Sequence, residues 1–411
     1  MTRDDALALD AADPLSGFRE RFALPDGVLY LDGNSLGALP KAVAARLDAV
    51  VRAEWGESLI RGWNDHGWIE APARIGAKIA RLIGAEPHEV AAADSTSINL
   101  FKLAAGAAAL RPGRTTILSE PGNFPTDLYM LQGLERFLDG RVQVKTVPAD
   151  EIAAAIDEDT AAVVLTHVHY KSGRRHDMAA ITAAAHAKGA LALWDLSHST
   201  GVLKVDLNGC GADLAVGCGY KYLNGGPGAP AFLFVAERHQ AAIQTPLTGW
   251  MGHAEPFVFD DLYRPAPGVR RQLCGTPPIL GLAALECALE VLLEADLGAI
   301  EAKAAALGDL FIAEVEARCG DAGLALVSPR DGRARGGHVS FAHPDDGYAM
   351  VQALIAEGVI GDFRAPDVLR FGFSPLYLRY VDVWDSAHKL AEIVAARRWD
   401  QPEFKRRASV T

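Results

Sequence analysis

Gly217-Cys218-Gly219-Tyr220-Lys221-Tyr222-Leu223-Asn224-Gly225-Gly226-Pro227-Gly228 sets a lysine inside a glycine-rich loop, directly after the apolar run 214–218. Glycine lets a backbone approach a ligand closely and adopt positive φ. A lysine held there can lose its water, which lowers its pKa and leaves a nucleophilic amine. Taken alone, Lys221 is better explained by a solvated residue in a surface turn. The loop also lacks the G-x-x-x-x-G-K-[ST] spacing of a nucleotide phosphate loop.

One apolar run upstream, Trp194-Asp195-Leu196-Ser197-His198-Ser199-Thr200-Gly201 places an aspartate at the end of 191–194. Asp195 by itself also suits a helix N-cap. The pair is more specific. A strand-end carboxylate followed by a strand-end lysine is what pyridoxal phosphate requires: the carboxylate keeps the ring nitrogen protonated and the lysine holds the aldehyde carbon. A phosphate cradle is then needed. Asp94-Ser95-Thr96-Ser97-Ile98-Asn99 offers hydroxyls and free N–H groups at the start of a helical run, although ordinary capping accounts for it too. In Asn123-Phe124-Pro125-Thr126-Asp127, Phe124 can stack on a cofactor ring or cover a core edge. His167-Val168-His169 alternates as metal ligands might, but no third ligand falls at a suitable spacing, which argues against a metal centre.

Around these segments the apolar runs 115–118, 142–147, 162–168, 191–194, 214–218 and 231–235 alternate with helical patterns such as 128–138 and 178–188. That rhythm predicts a mostly parallel sheet with helices on both faces, and ligands beyond the carboxyl ends of its strands. Upstream, Val43, Leu47, Val50 and Val51 fall on one helical face; Ile75, Ile79, Leu82 and Ile83 fall on another, with Gly84 as its stop. The first 40 residues read as an arm without a long periodic stretch. Past 276 come two long helices, 279–293 and 296–317, then strands at 338–341 and 368–373 and a last helix through Val383, Ala387, Leu390 and Val394. The expected division is an arm with its first helix (1–50), a large domain (51–275) and a smaller C-terminal α/β domain (276–411).

Composition narrows the function classes. Of 411 residues, half are hydrophobic and 22% charged, as in a globular protein with a sizeable core, and the net charge of −12 argues against nucleic acid or an anionic membrane surface as partner. Five cysteines without C-x-x-C spacing do not read as a zinc ribbon or a disulfide scaffold. Residues 1–13 carry several acids and no signal-type apolar core, and no run approaches the roughly 18–20 residues of a membrane span. The expected setting is cytoplasmic.

Together the segments resemble the kynureninase family, within the aspartate-aminotransferase-like, fold type I pyridoxal-phosphate enzymes. Tyr30-Leu31-Asp32-Gly33-Asn34-Ser35-Leu36-Gly37, residues 123–127, Asp195-Leu196-Ser197-His198, residues 219–228, Gly249-Trp250-Met251-Gly252-His253 and Gly275-Thr276-Pro277-Pro278-Ile279 carry the resemblance in order along most of the chain. The lysine loop points only to the superfamily; Y-L-D-G-N-S-L-G and G-W-x-G-H point to the family. The resemblance implies an α/β, PLP-dependent transferase-like large domain with a mostly parallel seven-stranded sheet. It implies hydrolysis of L-kynurenine or 3-hydroxykynurenine to anthranilate or 3-hydroxyanthranilate and L-alanine, in tryptophan catabolism and NAD biosynthesis, by a homodimer with shared active sites. Lys221 would hold pyridoxal 5'-phosphate, Asp195 would bind its ring nitrogen with support from His198, and Phe124 would stack on it. Thr96, Ser97, Asp127, Thr166 and Tyr220 would hold its oxygens, and Tyr220 would also move a proton. Trp250 and Thr276 would reach the neighbouring subunit's phosphate; the family can carry an amide where this chain has Thr276. Arg370 would take the substrate α-carboxylate, its fork matching the carboxylate bidentately, with Asn34 and Ser35 beside it. His66, in the segment 63–68, would meet the substrate ring. The alternatives are a cysteine desulfurase or selenocysteine-lyase-like enzyme, an aminotransferase, or a cofactor-fold binding protein without turnover.

Overall fold

The computed structural model describes residues 1–320 and 322–407, so the last four residues of the expected C-terminal domain lie outside the described residues. The arm departs from expectation by beginning with a helix, α1 (Arg3–Ala12). Its signal is local. The Thr2 hydroxyl accepts from the Asp5 backbone N–H at 3.2 Å and the Asp5 carboxylate accepts from that of Thr2 at 2.8 Å, a reciprocal cap worth about 1 kcal/mol. Only Ala6 is buried, so no apolar stripe advertises the helix. It is held by polar contacts: Asp10 accepts from the Tyr380 and Val381 N–H groups at 2.6 and 3.1 Å, and buried Lys303 reaches buried Asp13 at 2.6 Å. Further on, Leu29–Tyr30 pairs in parallel with Val359–Ile360, stitching the arm to the C-terminal part of the chain.

Helix α2 (Lys41–Ala49) leads through a wider turn to α3 (Ala71–Ile83), which ends at Gly84 with φ +62°, as its sequence position predicts. The central sheet has seven strands: β1 (Val90–Ala92), β2 (Thr116–Ser119), β3 (Gln143–Thr146), β4 (Thr160–Thr166), β5 (Leu191–Asp195), β6 (Leu214–Gly217) and β7 (Phe232–Val235). Their order is β1-β7-β6-β5-β4-β2-β3. β7 runs antiparallel to both neighbours and the other pairs are parallel. All six apolar runs become strands; β1 is too short to show a period. Parallel strands covered on both faces read as unbroken apolar runs, yet their side chains still alternate. Val163, Leu165, Ala192, Trp194, Phe232 and Phe234 fill the core on one face; Ala162, Val164, Leu191, Leu193, Leu214 and Val216 fill the other, beneath α4 (Thr96–Leu110). The helices α5 (Pro125–Phe137) and α6 (Met178–Ala187) complete the crossovers.

Two long helices follow, α7 (Ile279–Leu293) and α8 (Leu297–Cys319). A four-stranded antiparallel sheet then forms from β8 (Ala325–Leu326), β9 (His338–Ala342), β10 (Asp362–Arg364) and β11 (Val368–Gly372), in the order β8-β9-β11-β10. Phe311 of α8 packs on Phe341, Phe371 and Phe373, and α9 (Gly347–Ala356) and α10 (Tyr380–Ala395) close this layer. The first core face of the central sheet continues into these residues, so both sheets are held by one apolar interior. Among the described residues no helix is long and apolar enough to cross a membrane.

Candidate active site

A cavity of about 220 Å³ opens beyond the carboxyl ends of β4, β5 and β6, where an open α/β sheet places its ligands. Its walls come from successive strand-to-helix loops: Asp94 to Ser97, Phe124 and Thr126, Thr166, Asp195 to His198, and Tyr220 with Lys221. Strand register accounts for part of this. Thr166 and Asp195 are direct partners on β4 and β5. Phe124 is set by Asn123, whose side-chain oxygen accepts from the Phe124 N–H at 2.8 Å, and Pro125 then starts α5. The lysine loop is tied by the Asn224 N–H to the Lys221 carbonyl and the Gly225 N–H to that of Gly219. The arm closes over it: the Gly37 N–H donates to the Tyr220 carbonyl at 2.7 Å. A Cβ at Gly37 would lie 2.3 Å from the Lys221 carbonyl oxygen, so only glycine allows this approach.

Lys221 is buried, with its Nζ 2.9 Å from His198 Nε2 and 5.7 Å from the centre of the Phe124 ring. Burial lowers its pKa, and Arg370 and Arg364 push the same way, against the raising influence of Cys218 and Asp195. His198 is held well below the usual histidine range by burial and then by Lys221, so it is neutral. Asp195 accepts from the Ser197 N–H at 2.8 Å and is raised by burial, with Lys221 opposing. Asp127 lies behind it, 3.2 Å from the Thr166 hydroxyl. Burial and then the Asp195 charge raise Asp127 well above the carboxylate range. Two adjacent buried carboxylates cannot both ionise cheaply; burial raises both, Asp127 the further, and the Lys221 charge opposes the rise in each.

These residues fit pyridoxal phosphate. Asp127 Oδ1 and His198 Nδ1 are buried without partners, and each unmade hydrogen bond of this kind is costly. Ser95 caps α4, and the first turn of that 15-residue helix lines the cavity with Thr96 and Ser97, a setting suited to a phosphate dianion. The buried amine, the buried carboxylate and the flat face of Phe124 supply the remaining contacts the cofactor needs.

A second cluster lies on the β10–β11 side. Asp362 and Arg370 are direct cross-strand partners. Arg370 donates through Nε to Asp362 at 2.8 Å, through a second nitrogen to the same carboxylate, to the Tyr170 carbonyl at 2.7 Å and to Ser35 Oγ at 2.8 Å. Arg370 and Ser35, far apart in sequence, are thus brought together. Asn34 is fully buried with both ends of its amide unpaired, pressed on Gly372 so closely that a Cβ there would overlap it. Asp362 and Arg364 were missed in the sequence reading. Their spacing on one strand, facing an arginine on the next, was the available signal.

Asp127, Arg370, Asn34 and Ser35 do not line the cavity, and three further expected residues lie apart from both it and the Arg370 cluster. Trp250 is 39% exposed and packs edge-on against Phe257, Thr276 is exposed, and His66 hydrogen-bonds Ser58 at 2.8 Å and leans on Trp68. His167 and His169 are spoken for, by Ser199 Oγ at 2.9 Å and the Gly122 carbonyl at 2.8 Å.

The sheet order, the lysine after β6 and the aspartate ending β5 define a fold type I pyridoxal-phosphate enzyme. Solved structures agree on the fold: the apo cysteine desulfurase from Thermococcus onnurineus NA1 superposes with a TM-score of 0.78 at 20% identity, covering 92% of this chain and 98% of that one. A C-DES mutant with glycine covalently linked to its PLP cofactor gives 0.77 at 16% identity, covering 91% and 99%. Residues 52–212 match the DegT/DnrJ/EryC1/StrS aminotransferase family and residues 300–390 match the kynureninase C-terminal domain. The chain is 53% identical to the kynureninase of Burkholderia mallei (strain SAVP1) and 51% identical to that of Pseudomonas fluorescens, each over 100% of both chains. The chain belongs to the kynureninase family.

Proposed function

We propose that the cavity around Lys221 hydrolyses L-kynurenine, or its 3-hydroxy form, to anthranilate, or 3-hydroxyanthranilate, and L-alanine. The observation that carries this reading is buried Lys221 and buried Asp195 sharing one cavity in a chain of the kynureninase family. Pyridoxal phosphate, when bound, supplies an electron sink that stabilises negative charge on the substrate's α- and β-carbons. Lys221, its proton affinity lowered by burial, takes the α-proton. Asp195 would hold a negative charge toward the ring nitrogen, with Asp127, the carboxyl raised further, retaining the shared proton. His198 steers the Lys221 amine; Phe124 would cover the cofactor ring, and the first turn of α4 with Thr96 and Ser97 would hold its phosphate. Arg370, Ser35 and Asn34 orient the α-carboxylate. Tyr220 lines the cavity, and burial keeps its phenol protonated, so it has a proton to return to the β-carbon. One water adds at the γ-carbonyl and the Cβ–Cγ bond breaks. The aryl side leaves as the acid and the other side as alanine, with one water consumed.

In this reading residues 51–275 hold the cofactor, 276–411 form the smaller domain, and 1–50 bind across both. The exposed apolar residues Trp250, Phe257, Phe259 and Leu262 support a homodimer in which Trp250 and Thr276 complete the partner's phosphate site; His66 meets the substrate ring. Five unpaired cysteines suit a reducing, cytoplasmic setting. None of them lines the cavity, which favours hydrolysis over sulfur transfer to an enzyme thiol. The test is to mix the cofactor-loaded protein with L-kynurenine and follow anthranilate fluorescence and alanine release. Equal amounts of both, lost in Lys221→Ala, are expected; no product from protein that still shows the absorption of lysine-bound cofactor would refute the assignment.

A further inference from the structure

His167 and His169 follow β4, and the chemistry around Lys221 uses neither. His169 is nevertheless tied to that site. It starts a hairpin in which Val168 and Arg175 pair antiparallel and Gly173 makes the turn with φ +70°. The hairpin is anchored on the C-terminal side: the Gly173 carbonyl accepts from the Gly336 N–H at 2.8 Å, and the Arg175 N–H donates to the Ala334 carbonyl at 2.9 Å. From this base it grips residues 120–124, the loop between β2 and α5 that carries Phe124. Buried Glu120 accepts from Arg174 at 2.5 Å and pairs with His176 at 2.9 Å. Two residues on, the Gly122 carbonyl accepts from His169 Nε2 at 2.8 Å. The other ring nitrogen, Nδ1, accepts from the Ser172 N–H at 3.2 Å, so the ring is neutral with its proton on Nε2; burial favours the same form. His169 also stacks on Tyr170 with ring centres 5.5 Å apart, and Tyr170 packs edge-on against Phe124 at 5.2 Å. Phe124 lines the cavity, 5.7 Å from the Lys221 Nζ. It is 36% exposed, so core packing alone does not fix it, and its position depends on its loop.

We propose that His169 is a positioning residue for the cofactor: its bond to the Gly122 carbonyl holds the 120–124 loop so that Phe124 lies against the pyridoxal phosphate ring. This rests on the reading of Phe124 as the residue that covers that ring. The hydrogen bond is the directional link, and the ring contacts add packing. One such bond is worth about a 3- to 10-fold change in binding. The same hairpin gives the Tyr170 carbonyl to Arg370 at 2.7 Å, so an effect on the cofactor has to be separated from one on the substrate end.

The experiment compares full-length wild type with His169→Phe, which keeps a ring on Tyr170 but cannot donate, and His169→Gln, whose amide can donate to the Gly122 carbonyl. Each is made alone and with Phe124→Leu. Cofactor-stripped protein is titrated with pyridoxal phosphate, the visible circular dichroism of the loaded protein is recorded, and L-alanine binding is read from the change in cofactor absorption. His169→Phe should raise the cofactor dissociation constant by about 3- to 10-fold and weaken the visible circular dichroism, with L-alanine binding changed far less. His169→Gln should lie near wild type. In the Phe124→Leu background His169→Phe should add little, because the residue it acts through is gone. His169→Leu takes the place of His169→Phe if that variant does not fold. Wild-type cofactor binding in His169→Phe overturns the proposal, as do equal losses in His169→Phe and His169→Gln, an undiminished further loss in the Phe124→Leu background, or a loss confined to L-alanine. If Phe124→Leu itself binds cofactor as wild type does, the reading of Phe124 fails and the proposal with it; if Phe124→Leu loses affinity and His169→Phe does not, only the role of His169 falls.

Discussion

Replacing Asp362 by asparagine tests the electrostatic logic of the substrate end of the site. The side chains of Asp362 and Arg370 are each 2% accessible, and Arg370 holds the Asp362 carboxyl down to about 2 against the pull of burial. Asparagine keeps the shape but removes the charge, and its NH₂ would face guanidinium N–H groups. Removing one partner of a buried ion pair costs about 3–5 kcal/mol, because the remaining charge stays desolvated. With an unfolding entropy near 2.1 cal/mol/K per residue, a chain of 411 residues loses about 1 °C of Tm per 0.9 kcal/mol. Asp362→Asn should therefore lower Tm by about 3–6 °C. A second carboxyl modulates the result. Asp32 is pushed up to about 7, by burial first and then by the Asp362 charge. Without that charge Asp32 ionises more readily and partly replaces it, so Asp362→Asn combined with Asp32→Asn should cost more than the two single changes summed. Thermal and urea unfolding of the cofactor-free protein at pH 8 give the numbers, with Arg3→Gln, which breaks an exposed pair with Asp385, as a control expected to unfold with wild type. An Asp362→Asn protein that melts within 1 °C of wild type would refute the reasoning.

Asp32 also makes a pH prediction. Below about 7 the group Asp32, Asp362, Arg364 and Arg370 carries one net positive charge, and above it none. KM for the anionic end of L-kynurenine should rise as pH passes upward through about 7, and Asp32→Asn should flatten that rise. The Asp32 carboxyl binds its proton more tightly folded than unfolded, so its contribution to stability is complete below about pH 4 and lost as pH climbs through about 7; urea midpoints that increase over this interval in Asp32→Asn relative to wild type will confirm the sign. Asp195→Asn should keep cofactor bound through Lys221 but lower kcat by on the order of 10²–10³, whereas Asp127→Asn, which mimics an already protonated acid, should cost far less; equal losses in steady-state assays would remove the assignment of the proton to Asp127. Gly37→Ala should destabilise by about 1–3 kcal/mol and weaken cofactor retention, because its methyl group displaces the Lys221 carbonyl; retention measured by dialysis at wild-type levels would contradict this.

Much of the molecule was legible because its signals are short in range. Strands β2, β4, β5, β6 and β7 are each an apolar run of four to seven residues in the sequence, and the chemistry follows directly after it, so Asp195 and Lys221 could be picked out as a pair. Helix α7 spans the limits its Ala- and Leu-rich pattern predicts. Helix α1 was not read, since its stability comes from a cap and from polar contacts with α10 and Lys303 that lie some 290 to 370 residues away. Strand β1 escaped because three residues show no periodicity.

By itself the sequence determined six of the sheet's seven strands and the order of their strand-end residues, since these depend on local apolar runs and on residues adjacent to them, and its motifs carried the family resemblance. Only the tertiary structure decided how charges are shared. It set Asp127 against Asp195 so that one keeps the proton, joined Ser35 to Arg370, and placed Asp362 so that it neutralises one arginine and leaves Arg364 partly open. A side chain's charge and reach are written in its type, but its proton affinity and its spare hydrogen bonds depend on what burial removes and which distant groups folding brings alongside.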